Sequence, residues 1–537
     1  MSDSNSYDYI IVGSGFGGSV SAMRLSEKGY KVLVIEKGRR WKDKDFPESN
    51  WNLPKYLWVP WFNWFGFQKI NVFSEVAILS GAGVGGGSLV YANTHMFPPD
   101  TFFNNPVWSH FRDWKTTLLP FYSKAKFMLG SSKYEKRNIE DEALRQVAID
   151  MGKEHTYGGV DGVGVYFGDP NVEVDPYFKG LGPLRSGCLE CAGCMVGCRE
   201  NAKNTLEKNY IYFAEKFGAT ILPETEVLKI EHINGEYIVH TKRTGIHLNS
   251  NKRKFTSNGL VISAGVLGTA HLLFNQRDVL KTLPNLSKKL GDGLLTNSEQ
   301  LVMVGNVKEK VNNGISISVV FEPDEKTHIE PCKYPDNSSF MYKILMFPAA
   351  GEGHPVVRAT KSILKIFTNT AYIKMIFSKN LTKNSLVLLV MQDLDTSMRL
   401  LLKKGFYGTR LSIKNEGRNK AQAFIKTGQE VLMRYAKKLK GDAFNPTNEV
   451  FLNLTSTAHI LGGCLMSKTA DEGVVNDKFE VHNYPNMYIL DGSIMPCNLG
   501  VNPSLTITAL TEYAMSNIPQ KQGNTIISLE KQMELVQ

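Results

Sequence analysis

The sequence lacks several features that would each have pointed somewhere definite. No run reaches the ~20 apolar residues that a bilayer-spanning helix requires, although 42% of the 537 residues are hydrophobic. No basic segment followed by an apolar stretch precedes the first strand-like run, Tyr9-Ile10-Ile11-Val12; nothing reads as a secretory leader, and a cytoplasmic protein is expected. Cysteine is scarce. Of the seven, four crowd into residues 188–198 while Cys332, Cys464 and Cys497 stand alone, which is not how a disulfide framework distributes its thiols. Fixed-period repeats are also missing, which excludes solenoids and propellers.

What is present is an ordinary globular composition with a basic balance. The formal charge is +10, spread along the chain apart from short runs such as Lys252-Arg253-Lys254 and Lys437-Lys438-Leu439-Lys440. No basic block or stripe marks a nucleic-acid surface, so nucleic acid is not expected as a partner; a weak association with membrane surfaces is in keeping with the charge. The length exceeds what one hydrophobic core serves, so two intertwined domains are expected.

The clearest signal lies at residues 7–38. A continuous apolar run at 9–12 leads into Gly13-Ser14-Gly15-Phe16-Gly17-Gly18, then a helical pattern ending near Gly29, then Lys31-Val32-Leu33-Val34-Ile35-Glu36. This is one βαβ unit with a GxGxxG turn between strand and helix. Gly13 allows the tight turn, Gly15 lets bare backbone approach a pyrophosphate, and Gly18 lets helix and strand pack closely. The helix N-terminus supplies N–H donors for phosphate. Glu36, at the end of the second strand, suits ribose hydroxyls and disfavours a 2′-phosphate. The motif by itself does not separate FAD from NAD.

A second glycine-rich loop follows at Gly81-Ala82-Gly83-Val84-Gly85-Gly86-Gly87-Ser88, with five glycines in its first seven positions. Such density brings backbone close to something flat or bulky, or requires positive φ. Near the other end, His459-Ile460-Leu461-Gly462-Gly463 precedes Tyr488-Ile489-Leu490-Asp491-Gly492-Ser493 and Gly500-Val501-Asn502-Pro503-Ser504-Leu505-Thr506-Ile507. A helix opening at Pro503 would present free N–H groups to an electron-rich target. Between these ends, residues 110–155 read as helical and 300–450 as antiparallel strands. The segment 51–68 carries Trp51, Trp58, Trp61 and Trp64; it reads either as a lid or as a surface loop docked by its aromatics. Residues 362–377 read as an amphipathic lid or a buried helix.

These stretches together resemble the glucose–methanol–choline (GMC) oxidoreductase superfamily, in its cholesterol oxidase-like branch. The resemblance rests on Gly13 to Glu36, Gly81 to Val90, Ser263-Ala264-Gly265-Val266-Leu267-Gly268-Thr269 and His459 to Thr508, in that order. It implies an α/β fold: a Rossmann-type FAD-binding domain joined to a mixed α+β substrate domain on an antiparallel sheet. The FAD-binding domain would be discontinuous (1–45, 75–100, 200–300 and 455–520). A lid-like aromatic loop would span 46–74, an insertion 101–199, and the substrate domain 301–454. FAD would contact Gly13, Gly15, Phe16, Gly17, Gly18 and Glu36, and the loop Gly83, Gly85, Gly86, Gly87 and Ser88. Further contacts implied are Val227, Ala264, Gly265, Asp491, Gly492, Asn502, Pro503 and Thr506. His459 would stand beside the reactive flavin nitrogen N5 and the substrate hydroxyl, and Asn502 would orient substrate or polarise the flavin. Glu330, in His328-Ile329-Glu330-Pro331, is the best match for a glutamate that assists proton transfer. The activity implied is FAD-dependent oxidation of the CH–OH group of a hydrophobic, sterol-like alcohol, with hydride passing to the flavin. Oxygen or an electron-acceptor protein would take the electrons.

The cysteine cluster stands apart from that resemblance. Cys188-x-x-Cys191-x-x-Cys194-x-x-x-Cys198 has ferredoxin-like spacing, suited to a 4Fe–4S cluster. Zinc and metal-free thiols are the competing readings; tetrahedral zinc held by four cysteines more often pairs two knuckles across a longer loop. A cluster would let electrons leave one at a time. Two further readings stay open: a flavin/iron–sulfur reductase of a ketone or double bond, and an electron-transfer flavoprotein without substrate chemistry.

Overall fold

The computed structural model describes residues 5–246, 251–394, 396–405, 408–416 and 420–536. The expected βαβ unit is there: strand Ser6–Val12, helix Phe16–Glu27 and strand Val32–Ile35. Gly29 follows the helix in the left-handed region at φ 85°, where glycine carries no Cβ penalty. These strands join a seven-stranded sheet ordered Thr220–Leu222, Val32–Ile35, Ser6–Val12, Arg253–Ile262, Glu236–Arg243, Thr225–Ile233, with Met487–Ile489 pairing on Arg253–Ile262. The core of the sheet is parallel, and only the last two strands are antiparallel. A parallel core covered on both faces explains why its strands are near-continuous Val, Leu and Ile rather than alternating.

The glycine turn is where the two ends of the chain meet. A Cβ on Gly17 would lie 1.7 Å from the carbonyl oxygen of Leu490, and one on Gly18 would lie 2.0 Å from that of Gly13. The sequence from the far C-terminal strand thus packs directly on the phosphate turn. An ion-pair cluster buried behind it does the same job: Arg24 on the first helix donates Nε–H to Glu512 Oε2 at 2.8 Å, and Glu512 lies on the helix Ser504–Ser516.

A second seven-stranded sheet is wholly antiparallel. Its order is Met346–Pro348, Asp442–Pro446, Gln300–Gly305, Leu386–Gln392, Thr327–Cys332, Val319–Asp324, Tyr157–Gly159. Five of these strands lie within the expected substrate segment 301–454 and Gln300–Gly305 begins one residue ahead of it, but Tyr157–Gly159 comes from within 101–199. That stretch is divided between neighbours rather than standing by itself, since its helix Trp114–Met128 packs on Ser504–Ser516. The expected helical run 110–155 is two helices, Trp114–Met128 and Ile139–Asp150.

The aromatic segment docks by one face only. Tyr56, Trp58 and Phe67 are buried, whereas Trp61 and Phe62 are 78% and 71% exposed. The run 362–377 is not a buried helix: it falls in helices Pro355–Thr368 and Ala371–Phe377, with Phe367 and Phe377 pointing to solvent. No helix among the described residues is long and apolar enough to cross a membrane.

Candidate active site

The site gathers one residue from the antiparallel sheet, one from the end of a short strand and one from a helix start. Glu330 lies mid-strand in Thr327–Cys332, fully buried. His459 follows the short strand Thr455–Thr457, and Asn502 stands just before the helix Ser504–Ser516. Three segments remote in sequence therefore converge: Asn502 Nδ2 is 3.4 Å from Glu330 Oε2 and 3.5 Å from His459 Nε2. The structure brings all three expected catalytic residues together.

What orients the imidazole is a residue the motifs did not reveal. His459 Nδ1 lies 2.7 Å from Glu299 Oε1. Thr457 Oγ1 donates to Oε1 of that carboxylate at 2.8 Å, and the Ala458 N–H donates to Oε2 at 2.6 Å. Three partners hold Glu299 rigid, which fixes the ring and turns Nε2 toward Asn502. Burial works against a charge on His459, but the Glu299 carboxylate outweighs it, with Glu330 adding and His328 opposing; the imidazole is held above its ordinary range. Glu299 belongs to no sequence motif. It sits one residue ahead of the strand Gln300–Gly305, and only the bridge Glu299–Ser456 brings it beside the histidine.

The cofactor loops interlock. A Cβ on Gly86 would lie 2.7 Å from the Cα of Gly15, so the two glycine-rich turns touch. Glu36 accepts from the Ser14 N–H at 3.0 Å, the Ser14 hydroxyl at 2.7 Å and the Gly38 N–H at 2.8 Å. Gly15 itself has open space where a Cβ would go, and so has Gly265, at φ 73°. Ser88 turns inward: its hydroxyl donates to Gly85 O and accepts from Leu206 N–H. Asp491 accepts from Thr269 and Ser493 and caps the turn Gly492–Ile494. Ala264 N–H donates to Thr269 Oγ1. Val227 lies on the strand Thr225–Ile233, beside a register shift in its neighbour. Pro503 caps the helix Ser504–Ser516, and Thr506 is buried, its hydroxyl bonded to Tyr122. A Cβ on Gly87 would lie 3.4 Å from the Phe16 ring.

The residues fit a bound flavin on grounds internal to the structure. Both polar atoms of the Asn93 amide, and Oδ1 of Asn502, are buried without any hydrogen-bond partner. Asn93 ends the second glycine loop, at φ 69°. A buried amide left unpaired costs about 1–3 kcal/mol, and the polar edge of a bound ring is the kind of partner that would satisfy such atoms.

The cysteines lie elsewhere. Cys188, Cys191, Cys194 and Cys198 line one cavity of about 110 Å³ together with Lys203. The ligand set expected from their spacing is not formed: among the described residues no group of three or more His, Cys, Asp or Glu side chains is placed to hold a metal ion. Burial raises the Cys188 and Cys198 thiols and pushes Cys191 up to about 11, with neighbouring thiols adding at each. Lys203 donates to the carbonyls of Leu89, Tyr91 and Cys194, tying this loop to the end of the second glycine loop.

A dinucleotide turn, a buried histidine–carboxylate pair and an antiparallel sheet roofing them define a two-domain flavin-dependent oxidoreductase. The comparisons agree. The GMC oxidoreductase family profile matches residues 409–511, and an NAD(P)-binding Rossmann-like domain profile matches residues 11–41. A cholesterol oxidase of Mycobacterium tuberculosis is 41% identical over 531 residues, covering 96% of this chain and 91% of the relative. A cholesterol oxidase of Acinetobacter baumannii is 37% identical, covering 96% and 95%. Pyridoxine 4-oxidase from Mesorbium loti superposes with a TM-score of 0.58 at 15% identity, over 95% of this chain and 99% of the other, a likeness of fold. The chain belongs to the GMC oxidoreductases, in their cholesterol oxidase-like branch. It is an FAD-dependent alcohol oxidase.

Proposed function

We propose that the substrate is a sterol, oxidised at a ring hydroxyl, with dioxygen as electron acceptor. The observation that carries the chemistry is the convergence of Asn502 with Glu330 and His459 within 3.5 Å, and the relatives' names supply the substrate class. Bound FAD supplies the acceptor for the hydride. Asn502 orients the hydroxyl. His459, made more basic by Glu299, and the Glu330 carboxylate flank the place where the hydroxyl proton must go. The antiparallel sheet keeps water from that place, since Glu330 and its strand are buried throughout.

Anaerobic addition of cholesterol to the purified protein tests the reading. Bleaching of the visible flavin band, reversed by oxygen with release of hydrogen peroxide, is the expected result. A flavin that stays oxidised would overturn it and favour a different alcohol or pure electron transfer.

A second reading concerns the cysteines. Their short spacing and shared cavity support a 4Fe–4S cluster assembled there, in place of free thiols, with an electron-acceptor protein downstream. Iron and sulfide analysis of anaerobically purified protein decides it. About four irons per chain is the expected content, and none would leave the site to thiols.

A further inference from the structure

One buried titratable side chain beside the site takes no part in the chemistry above. His328 precedes Glu330 by two residues on the same strand, so both side chains project from one face. Its Nε2 lies 3.2 Å from Glu330 Oε1, and its Nδ1 lies 3.2 Å from Glu322 Oε1 on the neighbouring strand Val319–Asp324. Exposure climbs along this line. The side chains of Glu330, His328 and Glu322 are 0%, 6% and 52% exposed. The second oxygen of Glu330 is the one facing Asn502. The array therefore begins in the active site and ends in water, with no gap wider than a hydrogen bond.

We infer that Glu322 and His328 form a proton outlet, carrying to solvent the proton that Glu330 receives from the substrate hydroxyl. This rests on the reading of Glu330 as an acceptor of that proton. The hydroxyl O–H bond breaks and its proton goes to Glu330, while the two electrons of the carbinol C–H bond leave as hydride to FAD. His328, carrying a proton on each nitrogen, releases the one on Nδ1 to Glu322, which loses it to water. A half-turn of the ring about Cβ–Cγ then lets the vacated nitrogen take the proton from Glu330. One proton has left the substrate and one has entered the solvent; a second half-turn returns the doubly protonated ring, and all three side chains are then as they began.

The charges around the ring suit a carrier. Glu322, Glu330 and, across the site, His459 are the titratable groups that face it. Burial opposes its charge, but hydrogen bonds to Glu322 and Glu330 outweigh that and push His328 up to about 9. The imidazolium in turn holds Glu322 below the usual carboxylate range. Glu322 and His328 are positioning residues, since neither is within hydrogen-bond distance of Asn502 or His459 in the site.

The test uses the FAD-loaded enzyme with Glu322→Gln, Glu322→Asp, His328→Gln and Glu330→Gln. Glu322→Gln and His328→Gln are expected to lower kcat by about tenfold or more, a part of the usual acid–base contribution, with KM unchanged. Glu322→Asp recovers rate, and added formate or imidazole buffer restores Glu322→Gln in a concentration-dependent way. Wild-type kcat–pH profiles and buffer insensitivity in Glu322→Gln and His328→Gln, beside a crippled Glu330→Gln, would overturn the outlet alone. An unimpaired Glu330→Gln would overturn the reading of Glu330 beneath it. Flavin absorption and thermal melting of each variant show whether it has folded around its cofactor; should His328→Gln fail to fold, the surface variant Glu322→Gln still decides.

Discussion

Nδ1 of His459 faces Oε1 of Glu299 across 2.7 Å, and this contact joins a residue from each end of the long antiparallel segment into one unit. The carboxylate is already saturated by Thr457 and Ala458, so it has no freedom to follow a moving ring. His459→Ala should keep its flavin while turnover falls by roughly 10²–10⁴, the scale for losing an acid–base group. Glu299→Gln should lower kcat with the flavin spectrum intact, and shift the acid limb of the kcat–pH profile downward, because the carboxylate that raises the imidazole is gone. Steady-state kinetics across pH on both variants, with absorption spectra, check this. Unchanged turnover in His459→Ala would mean that the site is misassigned.

The Glu322–His328–Glu330 array leaves a mark on stability. The folded-state pKa of His328 is raised, from an ordinary 6.5 to about 9. A raised imidazole contributes stability that is fully present below the unfolded value and is lost as pH rises through the folded one. The difference in melting temperature between wild type and His328→Gln should be largest below pH 6.5 and shrink toward pH 9. A difference that grows with pH would contradict it. Thermal melts in non-nucleophilic buffers give the comparison.

The two glycines of the phosphate turn should behave oppositely. A Cβ on Gly17 has the Leu490 carbonyl 1.7 Å away, whereas one on Gly15 meets nothing within 4 Å. Gly17→Ala is expected to fail to fold into a flavin-binding protein. Gly15→Ala should keep the apoprotein melting temperature yet weaken FAD by roughly tenfold or more, since that backbone is the part a pyrophosphate approaches. Flavin fluorescence titration beside apoprotein melts distinguishes the two.

Arg24 and Glu512 clamp the first helix to Ser504–Ser516. Both side chains are buried; Arg24 also reaches Glu27, and Tyr210 donates its hydroxyl to Glu512 Oε1 at 2.7 Å. Removing Glu512 takes away the partner of the Arg24 Nε–H and the acceptor of the Tyr210 hydroxyl while leaving Arg24 with Glu27 and Glu530, so the cost lies at the low end of the about 3–5 kcal/mol of a broken buried pair. Glu512→Ala should show a loss of that size in urea unfolding, with FAD retained at low denaturant. A loss under ~1 kcal/mol would put the pair with exposed ion pairs instead.

Local chemistry made much of this protein legible before any fold was known. Gly13, Gly15 and Gly18 between an apolar run and a helical pattern define a phosphate turn because turn, approach and packing are decided within six residues. Asp491-Gly492 and Asn502-Pro503 are similar: a strand end and a helix start carry their own signals. The cysteine spacing was equally plain to read, yet spacing along a chain does not set where thiols point, and in the folded protein they line a cavity without forming a ligand set. The amphipathic run 362–377 left buried and exposed helix undivided because period alone does not say which face has a partner.

Sequence alone determined the class of fold and the cofactor turn, because each rests on short-range backbone geometry, whereas His459, Asn502 and Glu330 were reached only through the family resemblance. Tertiary structure decided the rest. Glu299 stands beside His459 through pairing of segments 160 residues apart, and Glu322 reaches His328 only across the register of two adjoining strands. Cross-strand register is settled by the packing of a whole sheet, and no single stretch of chain carries it.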